Sequence, residues 1–111
     1  MRLNILVFEG TVVDKTVEHL TIADSTCNDY SYNEITIAKL NLITITIGSH
    51  CFNCTNKFVI QRCKLLTHLS VGKNSFSADY GTFEVIQCQA LEGIEVGDYS
   101  LREFAVTISS K

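Results

Sequence analysis

Proline and tryptophan are both absent from the 111 residues of the chain. Without proline every backbone N–H remains available for pairing, which suits uninterrupted strand ladders. Positive charge is scarce: nine Lys and Arg against twelve Asp and Glu leave a net charge of −3. That balance argues against a nucleic-acid or anionic-membrane surface and implies no electrostatic partner. Long hydrophobic runs are missing as well. Ile5–Phe8 and Val12–Val13 are broken by Asn4, Glu9 and Asp14, so neither a secretory signal nor membrane insertion is expected. The five cysteines are odd in number, and their spacing matches no small disulfide scaffold, which favours a reduced, cytoplasmic setting. No G-x-x-x-x-G-K-S, G-x-S-x-G or H-E-x-x-H occurs, and Asp24, Asp29, Asp79 and Asp98 form no calcium loop. Neither an enzyme nor a cofactor is expected on those grounds.

What the chain does have is a repeat. Leu66–Phe76 (LTHLSVGKNSF) follows the pattern L-x-x-L-x-L-x-x-N-x-apolar, the strand-and-turn half of a leucine-rich repeat. The frame recurs at Val17–Cys27, Leu42–Phe52 and Leu91–Leu101, with offsets of 25, 24 and 25 residues. Stacked, the four copies give apolar columns: Val17, Leu42, Leu66, Leu91; then Leu20, Ile45, Leu69, Ile94; then Ile22, Ile47, Val71, Val96; then Cys27, Phe52, Phe76, Leu101. Between the second and third columns the alternation has period two, as in a strand buried on one face. Gly48, Gly72 and Gly97 follow three of these strands, with Ala23 in the fourth. A glycine there permits a positive φ or close backbone packing.

A second ladder is expected in the connecting segments. Phe58-Val-Ile60, Phe83-Glu-Val85 and Phe104-Ala-Val106 alternate in the same sense, with Ile35-Thr-Ile37 one residue out of step. No helical stripe runs through these segments. The fold class is therefore mainly β: a leucine-rich-repeat solenoid of about four 24–25-residue coils, two short strands per coil, forming parallel sheets. Residues 17–111 form the solenoid, with coils starting near 17, 42, 66 and 91, and residues 1–16 form a partial or capping coil. No polar cover is legible at either end, and the last repeat stops at Lys111 after fewer residues than the others. The chain reads as a fragment of a longer repeat protein, or as one whose open ends self-associate.

Two short motifs carry a resemblance. Ile47-Gly48-Ser-His-Cys-Phe52 and Val71-Gly72-Lys-Asn-Ser-Phe76 share I/V-G-x-x-(S/C)-F, with Val96-Gly97-Asp-Tyr-Ser-Leu101 a near copy. Cys63-x-x-Leu66-x-x-Leu69 and Cys88-x-x-Leu91-x-x-Ile94 share C-x-x-L-x-x-(I/L). Together they resemble the BspA-type leucine-rich repeats of bacterial and protist surface proteins, from about Val17 to the end. The family's I-P step is missing, and Asn74 is the lone asparagine in a column otherwise held by Ser25, His50 and Tyr99. The resemblance implies a protein-binding or adhesion module, which allows a cell-surface location, and it implies no catalysis.

The strand residues pointing away from the core are the candidate partner-binding face. They include His19, Thr21, Thr44, Thr46, His68, Ser70, Lys73 and Glu95; the alternative is a polar face that only meets solvent. His19 and His68 share a column two coils apart, about 10 Å, too far for one metal ion. The alternative chemistry is a zinc or thiol-redox site at His50, Cys51 and Cys54, around the single C-x-x-C. Cys63 and Cys88 stand one coil apart, as stacked thiols or an inter-coil disulfide. Asn53-Cys54-Thr55 fits the N-glycosylation pattern, relevant only to a secreted eukaryotic protein. A further alternative is a spacer that binds nothing.

Overall fold

A computed structural model describes residues 6–109. In chain order the strands are β1 (Leu6–Phe8), β2 (Thr11–Val13), β3 (His19–Ile22), β4 (Glu34–Ala38) and β5 (Thr44–Ile47). They continue as β6 (Lys57–Gln61), β7 (His68–Val71), β8 (Gly81–Ile86), β9 (Gly93–Val96) and β10 (Phe104–Ser109). A 3-10 turn at Tyr30–Tyr32 is the sole helical element among the described residues.

The chain winds as a β-solenoid of about four turns. Each turn lays one strand into each of two parallel sheets, ordered β3-β5-β7-β9 and β4-β6-β8-β10. In the first sheet Leu20, Ile45, Leu69 and Ile94 stand in one file, and Ile22, Ile47, Val71 and Val96 in the next. Alternation puts these side chains between the sheets and their neighbours in solvent, the burial pattern of β3 being exposed, buried, exposed, buried.

The bend between each first-sheet strand and the second-sheet strand that follows it is filled by aromatic rings. Phe52 stacks on Phe76 with centroids 5.2 Å apart, and Phe58 stacks on Phe83 at the same distance. Edge-on contacts link the two piles, Phe58 to Phe76 at 5.0 Å and Phe76 to Phe83 at 5.3 Å. Each such pair adds about 0.5–1.5 kcal/mol beyond the area it buries.

One feature decides between stated alternatives and two depart from the expectations above. First, of the two roles open to the glycines, they provide close packing and not positive φ. A Cβ on Gly72 would lie 2.6 Å from the carbonyl carbon of Gly48, and one on Gly97 would lie 2.7 Å from that of Gly72. The left-handed conformation falls instead on Ser25, His50, Asn74 and Tyr99, and again on Cys27, Phe52, Phe76 and Leu101. Each costs a non-glycine residue about 1–2 kcal/mol, which the ring stacking and inter-coil hydrogen bonds offset.

Second, the register of the second sheet differs. Ile35 pairs directly with Phe58, but Phe104 pairs with Gly81, and it is Val106 that stands beside Phe83. The fourth turn is shorter: β10 starts three residues after Leu101, whereas β8 starts five after Phe76. The ring of Phe104 takes the space a side chain at residue 81 would need, 2.6 Å from an added Cβ.

Third, in place of a coil, β1 and β2 form an antiparallel hairpin closed by Glu9 (φ 50°) and Gly10 (φ 85°), the conformation of a two-residue hairpin turn. Phe8 and Val13 are buried in the core. Phe8 meets Phe52 edge-on at 5.9 Å, on the coil where Cys27 takes the phenylalanine column. The Tyr32 hydroxyl accepts from the Glu9 N–H (2.8 Å) and donates to its carboxylate (2.9 Å), tying the hairpin to the first coil. The strand character expected from Leu3 onward begins outside the described residues.

Candidate functional site

The first sheet brings the predicted face together. His19, Thr44, His68 and Gly93 are directly paired neighbours, as are Thr21, Thr46, Ser70 and Glu95. His19, Thr21, Thr46, His68, Lys73 and Glu95 are exposed, while Thr44 and Ser70 are half-buried between their neighbours. Adjacent strands lie about 4.8 Å apart, so the two columns form continuous polar ladders. His19 Nδ1 lies 2.8 Å from the Thr44 hydroxyl, whereas the equivalent nitrogen of His68 turns to Thr67 at 3.1 Å.

The third column is bound into the turn. Asp24 accepts from the Ser49 N–H at 2.9 Å, and the Ser49 hydroxyl accepts from the Lys73 N–H at 3.2 Å. Lys73 therefore has a fixed backbone and an exposed ammonium. No aromatic residue stands in these columns; the exposed rings of Tyr30, Tyr80 and Tyr99 lie in the connecting turns. The face offers hydroxyls, imidazoles and a carboxylate as hydrogen-bonding groups.

The cysteine constellation is dispersed by depth. Cys51 is fully buried, Cys54 partly so, and His50 is exposed with φ 59°. Cys51 belongs to an inter-coil ladder, in the column of small residues it shares with Ser75 and Ser100. Its thiol donates to the Ala23 carbonyl (3.1 Å), the Ser75 hydroxyl to Gly48 (2.8 Å), and the Ser100 hydroxyl to Gly72 (2.6 Å). In return Ser75 accepts from the Cys51 N–H (3.1 Å) and Ser100 from the Ser75 N–H (2.9 Å). Among the described residues no group of three or more His, Cys, Asp or Glu is placed to hold a metal ion.

The remaining thiols are core. Burial pushes Cys27 up to about 11. The hydrogen bond shared with Cys88, together with burial, holds Cys63 above the ordinary thiol range. All five cysteines are free thiols.

Asparagine side chains bridge the coils at a column other than that of Asn74. Asn28 Oδ1 accepts from the Asn53 N–H (2.9 Å), and Asn53 Oδ1 from the Ser77 N–H (3.2 Å). The signal was present in the sequence as a 25-residue offset between Asn28 and Asn53. No helix among the described residues is long and apolar enough to cross a membrane. A scan against protein-family models, a search of curated proteins and a search of solved structures each found no match.

Proposed function

We propose that this chain is a non-catalytic interaction module of the leucine-rich-repeat kind, similar to BspA-type repeats, that binds another protein in a recognition or adhesion role. The partner would lie across the exposed face of β3-β5-β7-β9. The observation that supports this is the pair of in-register polar ladders, Thr44 beside His68 and Thr46 beside Ser70, held on a parallel sheet. Presentation on a hydrogen-bonded sheet lowers the ordering cost of binding. Immobilised chain and a Thr46→Ala, His68→Ala, Ser70→Ala triple variant, offered the same cell extract, provide the test. The triple variant is expected to lose the captured protein while keeping its melting temperature, because these side chains lie outside the core. Equal capture by both would move the site elsewhere, and capture by neither would favour a spacer.

The thiol or zinc alternative at His50, Cys51 and Cys54 has less in its favour, since the Cys51 thiol already donates to a backbone carbonyl within the core. Elemental analysis finding stoichiometric zinc would restore it.

The end formed by β9 and β10 favours a second contact, self-association. Val96, Val106 and Ile108 are 46%, 49% and 52% exposed, whereas their partners one coil inward, Val71, Phe83 and Val85, are at most 3% exposed. Two copies meeting there would cover apolar surface and pair the edge strands. Light scattering is expected to give twice the 12.4 kDa chain mass, falling to the single value in Val96→Asp, Ile108→Asp. A wild-type chain that stays monomeric at high concentration would remove this reading.

A further inference from the structure

The net charge conceals a local concentration of cations. Of the nine Lys and Arg in the chain, Lys39, Arg62 and Lys64 line one groove of about 400 Å³, together with Leu40 and Asn41 and, among the described residues, no carboxylate. The fold brings them together. Lys39 and Arg62 each follow the last residue of a second-sheet strand, β4 and β6, with φ 59° and 56°. Their backbones are locked to the next coil, the Lys39 N–H donating to Gln61 (3.1 Å) and the Arg62 N–H to Ile86 (3.0 Å). Neighbouring coils lie about 4.8 Å apart, so the two cations are stacked, with Lys64 two residues further along.

Arg62 is also oriented. Its Nε–H donates to Gln87 Oε1 at 3.0 Å, which leaves the two terminal nitrogens free. A guanidinium held by one edge can present its other donors to an oxyanion, with lysines adding point charges. Towards the last coil the groove is bounded by neutral side chains. Gln87 follows Arg62, and Gln89 follows Lys64. Three like charges in one concavity repel each other, and a compact dianion offsets that repulsion.

We infer that the groove of Lys39, Arg62 and Lys64 binds a small ligand carrying a phosphate or sulfate group. It lies off the sheet face and is independent of the reading given for that face. Titrating isotope-labelled chain with sodium sulfate and with sodium phosphate, at ionic strength held constant with chloride, tests it by amide chemical shifts. Saturable shifts at Lys39, Arg62 and Lys64 are expected, with affinity weakened about tenfold or more by Arg62→Gln and unchanged by Lys57→Gln. A sugar phosphate and a sugar sulfate, titrated likewise, show whether the group is bound free or as an ester. Shifts that are linear and alike at Lys57, Lys73 and the groove would mean an adventitious ion only and overturn the proposal. So would an unchanged affinity in a folded Arg62→Gln chain.

Discussion

Ser75 shows how much one small side chain holds in this molecule. It is fully buried and its hydroxyl bridges two coils, donating to Gly48 and accepting from the Cys51 N–H. Ser75→Ala would leave a buried carbonyl and a buried N–H without these partners, a loss of about 1–3 kcal/mol in urea unfolding. Ser75→Cys should cost less, because Cys51 makes the same contact one coil earlier with a sulfur. An alanine variant as stable as wild type would mean that the ladder contributes nothing. At this scale the sequence was only half legible. Thr26, Cys51, Ser75 and Ser100 share a column of small residues, yet a small side chain in a repeat can serve packing or hydrogen bonding alike. Only coordinates distinguish the two. The same holds for Asn74, which matches the repeat pattern but occupies a left-handed turn position (φ 56°), while Asn28 and Asn53 form the side-chain ladder.

At the scale of elements, the first sheet was fully legible and the second was not. The columns of β3, β5, β7 and β9 follow from period-two alternation at a near-constant offset, and the pairs form as that offset dictates. In the second sheet the turns vary in length, so counting from the preceding turn misplaced Phe104 by two residues against Phe83. The hairpin of β1 and β2 escaped for a similar reason: its Glu9-Gly10 turn breaks the frame without resembling the repeat. The cationic groove depends on the register of β4 and β6, in which Ala38 stands beside Gln61, an offset shorter than that of the repeat, so the repeat frame alone does not bring Lys39 beside Arg62. Glycine contrast tests the elements directly. Gly72→Ala drives a Cβ to 2.6 Å from backbone of the neighbouring coil, whereas Gly93→Ala meets only the His68 ring at 3.5 Å. The first should destabilise by about 1–3 kcal/mol or more and the second by less than about 0.5 kcal/mol. Equal melting temperatures for the two variants would rule out tight stacking of the turns.

For the whole molecule the determining relation is between neighbours along the axis. Each coil's apolar face is closed only by the coils above and below it, so burial rises from the last coil inward. The first coil differs because Phe8 and Val13 of the hairpin lie in the same core. The polar face, the exposed end and the groove all follow from this stacking, since each is a column read along the axis. The first-column leucines provide a matched series: Leu42 and Leu66 are both fully buried in central coils, and Leu91 is half-buried in the last. Urea unfolding of Leu42→Ala, Leu66→Ala and Leu91→Ala tests the stacking most directly. The two central variants should each lose about 2–5 kcal/mol and agree closely, with Leu91→Ala losing less than half as much. A loss at Leu91 as large as that at Leu66 would contradict it.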